Sequence, residues 1–268
     1  MKRLIAYILT FLLGFSAIPL WAQLGPPNSS GVSIGLVQLT VRDPEQHKKL
    51  WGLLGATVTH SGSMELLRLP GIYVVLSRGE TAAGSEGSTV NHFGFLVKNV
   101  DNVHATLAAA GLPTVQELTN PKRWVTMFPD KIKVEFTEDT TMSIAVAGHH
   151  LHLSTTAANI EPLRSWYVKT FGGVAETRRG FQSAVFNGGE VNIIQANSAE
   201  APTKGRALDH IGFEVQGLQA FCKKLEAAGV TFETPYREMP EIGLKVAFIM
   251  DPAGTRIELT EGLAGLRP

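Results

Sequence analysis

The sequence contains a single cysteine, Cys222, among 268 residues. One thiol cannot form a disulfide within the chain, so the hydrophobic core has to supply the stability. Cys222 lies beside Phe221 on a helical pattern, and no nucleophile motif accompanies it. This context favours a buried structural thiol over a reactive one.

An excess of charge of either sign is also missing, because 24 basic residues balance 24 acidic ones. Proteins that bind nucleic acid or an anionic membrane surface concentrate basic residues in runs or patches. The sequence has no long run of one sign. We therefore expect neither nucleic acid nor a charged membrane surface among its partners.

Long apolar runs are scarce as well, apart from Leu4–Leu20, which follows a short basic start. With a small residue at Ala22, this layout is typical of a secretory signal peptide covering residues 1–22. An uncleaved N-terminal anchor is the alternative, although a run of about 17 residues barely spans a bilayer. Residues 23–32 form a linker rich in Gly, Pro and Ser. The segment predicts a periplasmic or secreted protein that has no membrane attachment after cleavage.

The rest of the chain consists of four copies of one unit, which begin near residues 33, 91, 148 and 208. Each copy opens with an apolar strand, continues with a helical pattern that stops at a glycine, and ends with about three short β-prone runs. Such a βαβββ unit cannot bury its apolar face alone, so we predict an α+β fold in which the four units pair. The glycines that end the helical patterns are Gly55, Gly111, Gly172 and Gly229.

Two motifs of the last unit are specific for a known fold. His210 opens its first strand, and the stretch Asp251–Glu258 reads Asp-Pro-Ala-Gly-Thr-Arg-Ile-Glu. Paired βαβββ units with these motifs resemble the vicinal oxygen chelate superfamily, which includes glyoxalase I, bleomycin resistance proteins and extradiol dioxygenases. The resemblance covers nearly all of residues 33–262. It implies two modules made of consecutive units, at residues 33–138 and 148–262.

The resemblance also implies a divalent metal ion on the concave face of a paired sheet, with ligands from first and last strands. In the second module these positions are His150, His210 and Glu258. The alternation of side chains along a strand is consistent with this, because their apolar neighbours would pack under the helices. Two imidazoles and one carboxylate suit Fe(II), and they are compatible with Mn(II), Zn(II) or Ni(II) if a fourth ligand joins.

Three further residues are weaker candidates for the substrate pocket. His152 shares a strand face with His150, so we expect it to support the ligands or to contact substrate. Gln195 stands approximately where extradiol dioxygenases place an acid/base histidine. Tyr236 could supply a hydroxyl group.

The first module has an incomplete set of ligands. His92 and Glu135 occupy the corresponding positions, but Leu36 replaces the partner histidine. Two donors make a poor site for a divalent ion, so we predict a structural or regulatory first module.

Together these features predict a metal-dependent enzyme of lyase, isomerase or dioxygenase type. Its small substrate would chelate the metal through two adjacent oxygens. The acid/base residues of catechol cleavage are not matched, because Gln195 and Phe248 stand near their positions. The alternative is a metal-free protein that binds a small molecule, as bleomycin resistance proteins do.

Overall fold

A computed structural model describes residues 24–266 of the chain. The predicted signal peptide, residues 1–22, lies outside the described residues. Within the described range, no helix is both long and apolar enough to cross a membrane.

The described residues form four consecutive βαβββ units, as predicted. Unit 1 contains β1 Val32–Val41, α1 Pro44–Leu53, β2 Thr57–Ser61, β3 Met64–Leu69 and β4 Ile72–Arg78. Unit 2 contains β5 Val90–Val97, α2 Val100–Ala109, β6 Thr114–Glu117, β7 Asn120–Phe128 and β8 Ile132–Glu138. Unit 3 contains β9 Val146–Thr156, α3 Ile160–Phe171, β10 Val174–Arg178, β11 Phe181–Phe186 and β12 Gly189–Ala196. Unit 4 contains β13 Leu208–Val215, α4 Leu218–Ala227, β14 Phe232–Met239, β15 Leu244–Met250 and β16 Arg256–Glu261.

The helices end close to the predicted glycines, and α1 begins at a side-chain cap. Asp43 accepts hydrogen bonds from the backbone N–H groups of Glu45 and Gln46 at the start of α1, with Pro44 in the first turn. This satisfies donors that have no partner inside the helix. All four predicted terminal glycines have a positive φ, a conformation that glycine adopts without steric cost.

The strands form two sheets of eight, and the pairing of units differs from the prediction. The inner sheet has the order β10-β11-β12-β9-β5-β8-β7-β6 and joins units 2 and 3. The outer sheet has the order β14-β15-β16-β13-β1-β4-β3-β2 and joins units 1 and 4. In each sheet the two first strands pair antiparallel at the centre. The predicted modules 33–138 and 148–262 therefore do not each form a sheet.

Consecutive units instead pack against each other through their helix-covered faces. Trp51 of unit 1 is fully buried and stacks on Phe128 of unit 2, with the ring centroids 4.5 Å apart. Phe171 of unit 3 stacks on Phe213 of unit 4 at 4.3 Å. These contacts belong to one hydrophobic core that spans all four units. The other face of each sheet, which the helices leave uncovered, is called its open face.

The open face of the outer sheet is filled by an apolar cluster. Leu36, Tyr73 and Val75 lie in this cluster with Leu263 from a 3₁₀ turn at residues 263–265. The Tyr73 hydroxyl donates a hydrogen bond to the Leu263 carbonyl at 3.2 Å. The last described residues of the chain thus pack against this sheet.

Glu214 holds the 3₁₀ turn in place. Its buried carboxylate accepts hydrogen bonds from the backbone N–H groups of Gly262, Leu263 and Ala264 at 2.9–3.2 Å. We expect Glu214→Ala to lower the free energy of unfolding by about 3 kcal/mol, because three backbone donors, among them the buried N–H of Leu263, lose their charged acceptor. Urea unfolding would measure this loss. Glu214→Gln keeps one acceptor oxygen and should lose less, and equal losses in the two variants would contradict this account.

Candidate metal centre

Four potential metal ligands meet on the open face of the inner sheet. They are His92 and Glu135 of unit 2 and His150 and His152 of unit 3. One donor atom from each lies within 4.8 Å of the donor atoms of the other three. All four side chains are buried. The pairing of units 2 and 3 thus assembles a cluster that neither unit contains alone.

Three of these residues have the spacing of ligands around one ion. Glu135 Oε2 lies 3.1 Å from His92 Nε2, and Glu135 Oε1 lies 3.4 Å from His150 Nε2. Two donor atoms that each lie about 2.1 Å from a shared ion are about 3.0 Å apart at a right angle and about 3.4 Å apart at a tetrahedral angle. His150 Nε2 is also buried without a hydrogen-bond partner among the described residues. The cluster therefore fits a divalent metal ion.

Strand alternation and one glycine position these side chains. On β5, Phe93 and Phe95 point into the helix-covered core, so His92 and Gly94 face the opposite way. Gly94 pairs with His150 across the two central strands. A methyl group at Gly94 would overlap the His150 imidazole. The absence of a side chain at this position therefore makes room for the ligand.

Gly94→Ala is expected to displace His150 and to abolish metal binding. Gly212 is the matched control, because it pairs with Leu36 in the outer sheet and its Cβ would meet the leucine side chain. Gly212→Ala should lower stability and leave the metal content unchanged. Zinc analysis and thermal unfolding of both variants would test this. Full metal content in Gly94→Ala would contradict the assignment of His150.

Neighbouring polar groups orient the ligands. Asn91 Oδ1 lies 2.8 Å from His92 Nδ1 and can accept a hydrogen bond from its N–H, which leaves the Nε2 lone pair for an ion. The Thr137 hydroxyl donates to Glu135 Oε1 at 2.8 Å, and Arg123 Nε lies 3.2 Å from the same oxygen. Such contacts fix the orientation and the tautomer of metal ligands.

The electrostatics favour the protonation states that bind metal. Burial lowers the pKa of His92 and outweighs the opposing effect of Glu135. Burial alone would raise the pKa of Glu135, but its contacts with His150 and His92 hold the pKa well below its usual range. A neutral imidazole and an ionised carboxylate are the forms that coordinate a cation.

A cleft of about 760 Å³ opens beside the cluster. His92, Glu135 and His152 contribute to its wall, while Phe181 and Ile194 supply apolar surface. Pockets of this size and mainly apolar lining accommodate small molecules.

The predicted ligands His210 and Glu258 lie in the outer sheet instead. His210 Nε2 contacts Glu258 Oε2 at 3.0 Å, as the sequence pattern predicts. Their expected partner His150 belongs to the inner sheet and contacts Glu135. The structure therefore does not assemble His150, His210 and Glu258 into one site, because the first strand of unit 4 pairs with unit 1.

Leu36 shows why the outer sheet lacks a cluster of this kind. It faces Gly212 across the central strands, as His150 faces Gly94 in the inner sheet. Leu36 in the outer sheet thus occupies the position that His150 occupies in the inner sheet. The sequence analysis groups Leu36 with His92 and Glu135. The structure instead places Leu36 in the same sheet as His210 and Glu258.

The three weaker candidates for the substrate pocket do not lie together. His152 lies in the cluster and lines the cleft. Gln195 is exposed on β12, one residue from the cleft-lining Ile194, and so points to the other face of the strand. Tyr236 lies on β14 of the outer sheet, where its hydroxyl donates to Glu238 at 2.9 Å. Neither Gln195 nor Tyr236 lines the cleft.

The sequence analysis places His92 and Glu135 in an incomplete set of ligands, whereas the structure places them next to His150 and His152. The sequence contains one signal for the true pairing of units. The connection between units 2 and 3, residues 139–145, is shorter than the connections at residues 79–89 and 197–207. Short connections keep successive strands within one sheet more readily than long ones.

Comparison with protein families identifies the superfamily of the chain. The model of the Glyoxalase/Bleomycin resistance protein/Dioxygenase superfamily matches residues 125–259, just over half of the chain. The chain belongs to this superfamily, so the predicted resemblance is confirmed. A search of curated proteins gives no significant match.

Solved structures share the architecture. Glyoxalase I from Zea mays has 13% sequence identity and a TM-score of 0.66, with 87% of this chain and 94% of that chain covered. A proposed dioxygenase from Bacillus subtilis subsp. subtilis str. 168 has 13% identity and a TM-score of 0.62, with 91% and 88% covered. At these identities the similarity establishes the α+β fold of paired βαβββ units.

Proposed function

We propose that this protein is an exported, metal-dependent enzyme whose metal ion is held by His92, Glu135 and His150. The observation that carries the proposal is the set of buried donor atoms at 3.1 and 3.4 Å from one another beside a cleft. Two imidazoles and one carboxylate with open positions are typical of Fe(II) sites, so Fe(II) is the favoured metal, with Mn(II), Zn(II) or Ni(II) as alternatives. The signal-like residues 1–22 support a periplasmic or secreted location.

A divalent ion in this site would supply Lewis acidity for lyase or isomerase reactions, and Fe(II) would also supply the redox chemistry that a dioxygenase needs for O₂. The substrate would be a small molecule that reaches the ion through two adjacent oxygens. The chain's own residues bind and orient it: Phe181 and Ile194 cover the apolar part, and His152 lies next to the ligands. Burial of the cluster excludes bulk water from the donor atoms.

Metal reconstitution tests the proposal. The purified protein would be stripped with a chelator and loaded separately with Fe(II), Mn(II), Ni(II) and Zn(II). We expect about one equivalent of at least one metal per chain and a higher thermal unfolding temperature. A protein that binds none of the four would sink the metal-dependent assignment.

The mainly apolar cleft supports one other candidate, a metal-free binding protein of the bleomycin resistance type. Chelator treatment separates the two functions. A binding protein would retain its affinity for a small molecule in excess chelator, whereas the proposed enzyme would lose both affinity and turnover.

A further inference from the structure

We propose that His152 is not a fourth metal ligand but a neutral hydrogen-bond donor to the substrate, and that Glu190 and Asn192 fix it in this state. The inference rests on the proposed function, in which His92, Glu135 and His150 hold the metal ion. It concerns the direction of two hydrogen bonds on the open face of the inner sheet.

Glu190 determines the orientation of the Asn192 side-chain amide. The Glu190 side chain is buried and is paired with Arg179. Its Oε1 lies 3.0 Å from Asn192 Nδ2. An ionised carboxylate only accepts hydrogen bonds, so the amide must present its NH₂ group here. The opposite orientation would place two acceptor oxygens in contact.

Asn192 in turn determines the tautomer of His152. The same Nδ2 lies 3.1 Å from His152 Nε2, and the Asn192 Oδ1 accepts a hydrogen bond from the Ser183 hydroxyl at 2.6 Å. An NH₂ group donates, so His152 Nε2 has to accept. The proton of the neutral imidazole is then on Nδ1.

This tautomer prevents His152 from binding the metal. Its Nε2 lone pair is already used by Asn192, and its Nδ1 carries a proton. His92 is the contrasting case, because Asn91 offers an oxygen to Nδ1 and leaves Nε2 for the ion. His92 and His152 face each other across the two central strands. Two asparagines, one with its oxygen and one with its nitrogen towards an imidazole, thus give paired histidines different roles.

The position of His152 suits a substrate contact. Its ring centroid lies 4.3 Å from that of His92 and 4.8 Å from that of Phe181, and the side chain lines the cleft. Because Asn192 uses Nε2, Nδ1–H is the group that His152 can offer to a molecule in the cleft, which also meets the aromatic ring of Phe181. Such a donor selects substrates with a hydrogen-bond acceptor next to the chelating group.

Zinc binding distinguishes a metal ligand from a residue that only donates a hydrogen bond to the substrate. His150→Ala is expected to lose zinc, whereas His152→Ala should retain about one equivalent, with affinity lowered by no more than the 10–100-fold typical of supporting residues. Loss of zinc in both variants would overturn the assignment of His152 and leave the proposed function intact. If the unaltered protein bound neither zinc nor any of the other metals, the proposed function itself would be contradicted.

The tautomer can be read directly by long-range ¹H–¹⁵N NMR of the zinc-loaded protein, with the His152 signals identified by their absence in His152→Gln. We expect a proton on Nδ1 and none on Nε2. Asn192→Asp places an acceptor beside Nε2 and is expected to move the proton there. A proton on Nε2 in the unaltered protein would overturn the proposal even if the Asn192 variant fails to fold.

Discussion

Glu135→Gln is expected to abolish metal binding, while the same substitution at Glu258 leaves the metal content unchanged. Glu135 contacts two imidazoles in the inner sheet, whereas Glu258 contacts one imidazole among the described residues, that of His210 in the outer sheet. A glutamine has nearly the same shape but lacks the charge that binds a cation. We expect the zinc affinity of Glu135→Gln to fall by more than about 100-fold, because supporting residues alone cost 10–100-fold. Competition titration with a zinc indicator measures the change.

Glu258→Gln is a close control, since each glutamate lies on the last strand of its unit and contacts the first-strand histidine. If His150, His210 and Glu258 held the ion, as the sequence motif predicts, Glu258→Gln would lose the metal and Glu135→Gln would retain it. Retention of zinc in Glu135→Gln and loss in Glu258→Gln would therefore show that the outer sheet holds the ion.

His210→Ala is expected to lower the free energy of unfolding by about 3 kcal/mol, because Glu258 loses its imidazole partner and Asp209 keeps only Arg256 and the Gly205 N–H. His210 Nδ1 lies 2.7 Å from Asp209, and Nε2 lies 3.0 Å from Glu258. Burial alone would lower the pKa of His210, but the two carboxylates raise it above its usual value. The folded protein thus favours the protonated form of His210, whereas it disfavours the protonated form of His92.

The loss should depend on pH in a defined direction. A raised folded-state pKa means that the contribution of His210 is complete below about pH 6.5, its unfolded value, and is lost as the pH rises through the folded value. Burial opposes ionisation of Asp209, but His210 and the Gly205 N–H lower its pKa to about 2, so its contribution is lost only in acid. We therefore expect the difference between the two proteins to be larger at about pH 6 than at about pH 9.

Urea unfolding of the unaltered protein and of His210→Ala at both pH values measures this difference. His60→Ala is a suitable control, because the His60 side chain is 61% exposed and its nearest carboxylate, on Glu65, is 3.8 Å away. Its effect on stability should be below about 0.5 kcal/mol. Equal losses for His210→Ala at both pH values would contradict the charged pair.

Local features of the structure could be predicted from the sequence because they depend on near neighbours. Each helix is followed within two residues by a glycine of positive φ, at Gly55, Gly111, Gly172 or Gly229, because the chain adopts a left-handed conformation there. The alternation of side chains places His210 and Glu258 on one face, where they do make contact.

The assembly of the metal centre could not be predicted in the same way. Alternation determines which face a side chain occupies, but not which strand lies next to it. His150 and Leu36 occupy equivalent positions in the two sheets. If unit 3 paired with unit 4 instead of unit 2, His150 would join His210 and Glu258 and leave His92 and Glu135. The choice depends on contacts between strands far apart in the sequence, such as β1 with β13.

The nested pairing of the units has a consequence for synthesis of the chain. The inner sheet takes its strands from one continuous stretch, residues 90–196, whereas the outer sheet needs strands from both ends of the chain. The ribosome has therefore produced every strand of the inner sheet before any strand of unit 4. Until β13 arrives, one edge of β1 has no partner, and an unpaired apolar edge promotes aggregation. Pairing with the last quarter of the chain thus covers the exposed edge of the first quarter, and the sheet with the candidate metal centre is the first whose strands are all synthesised.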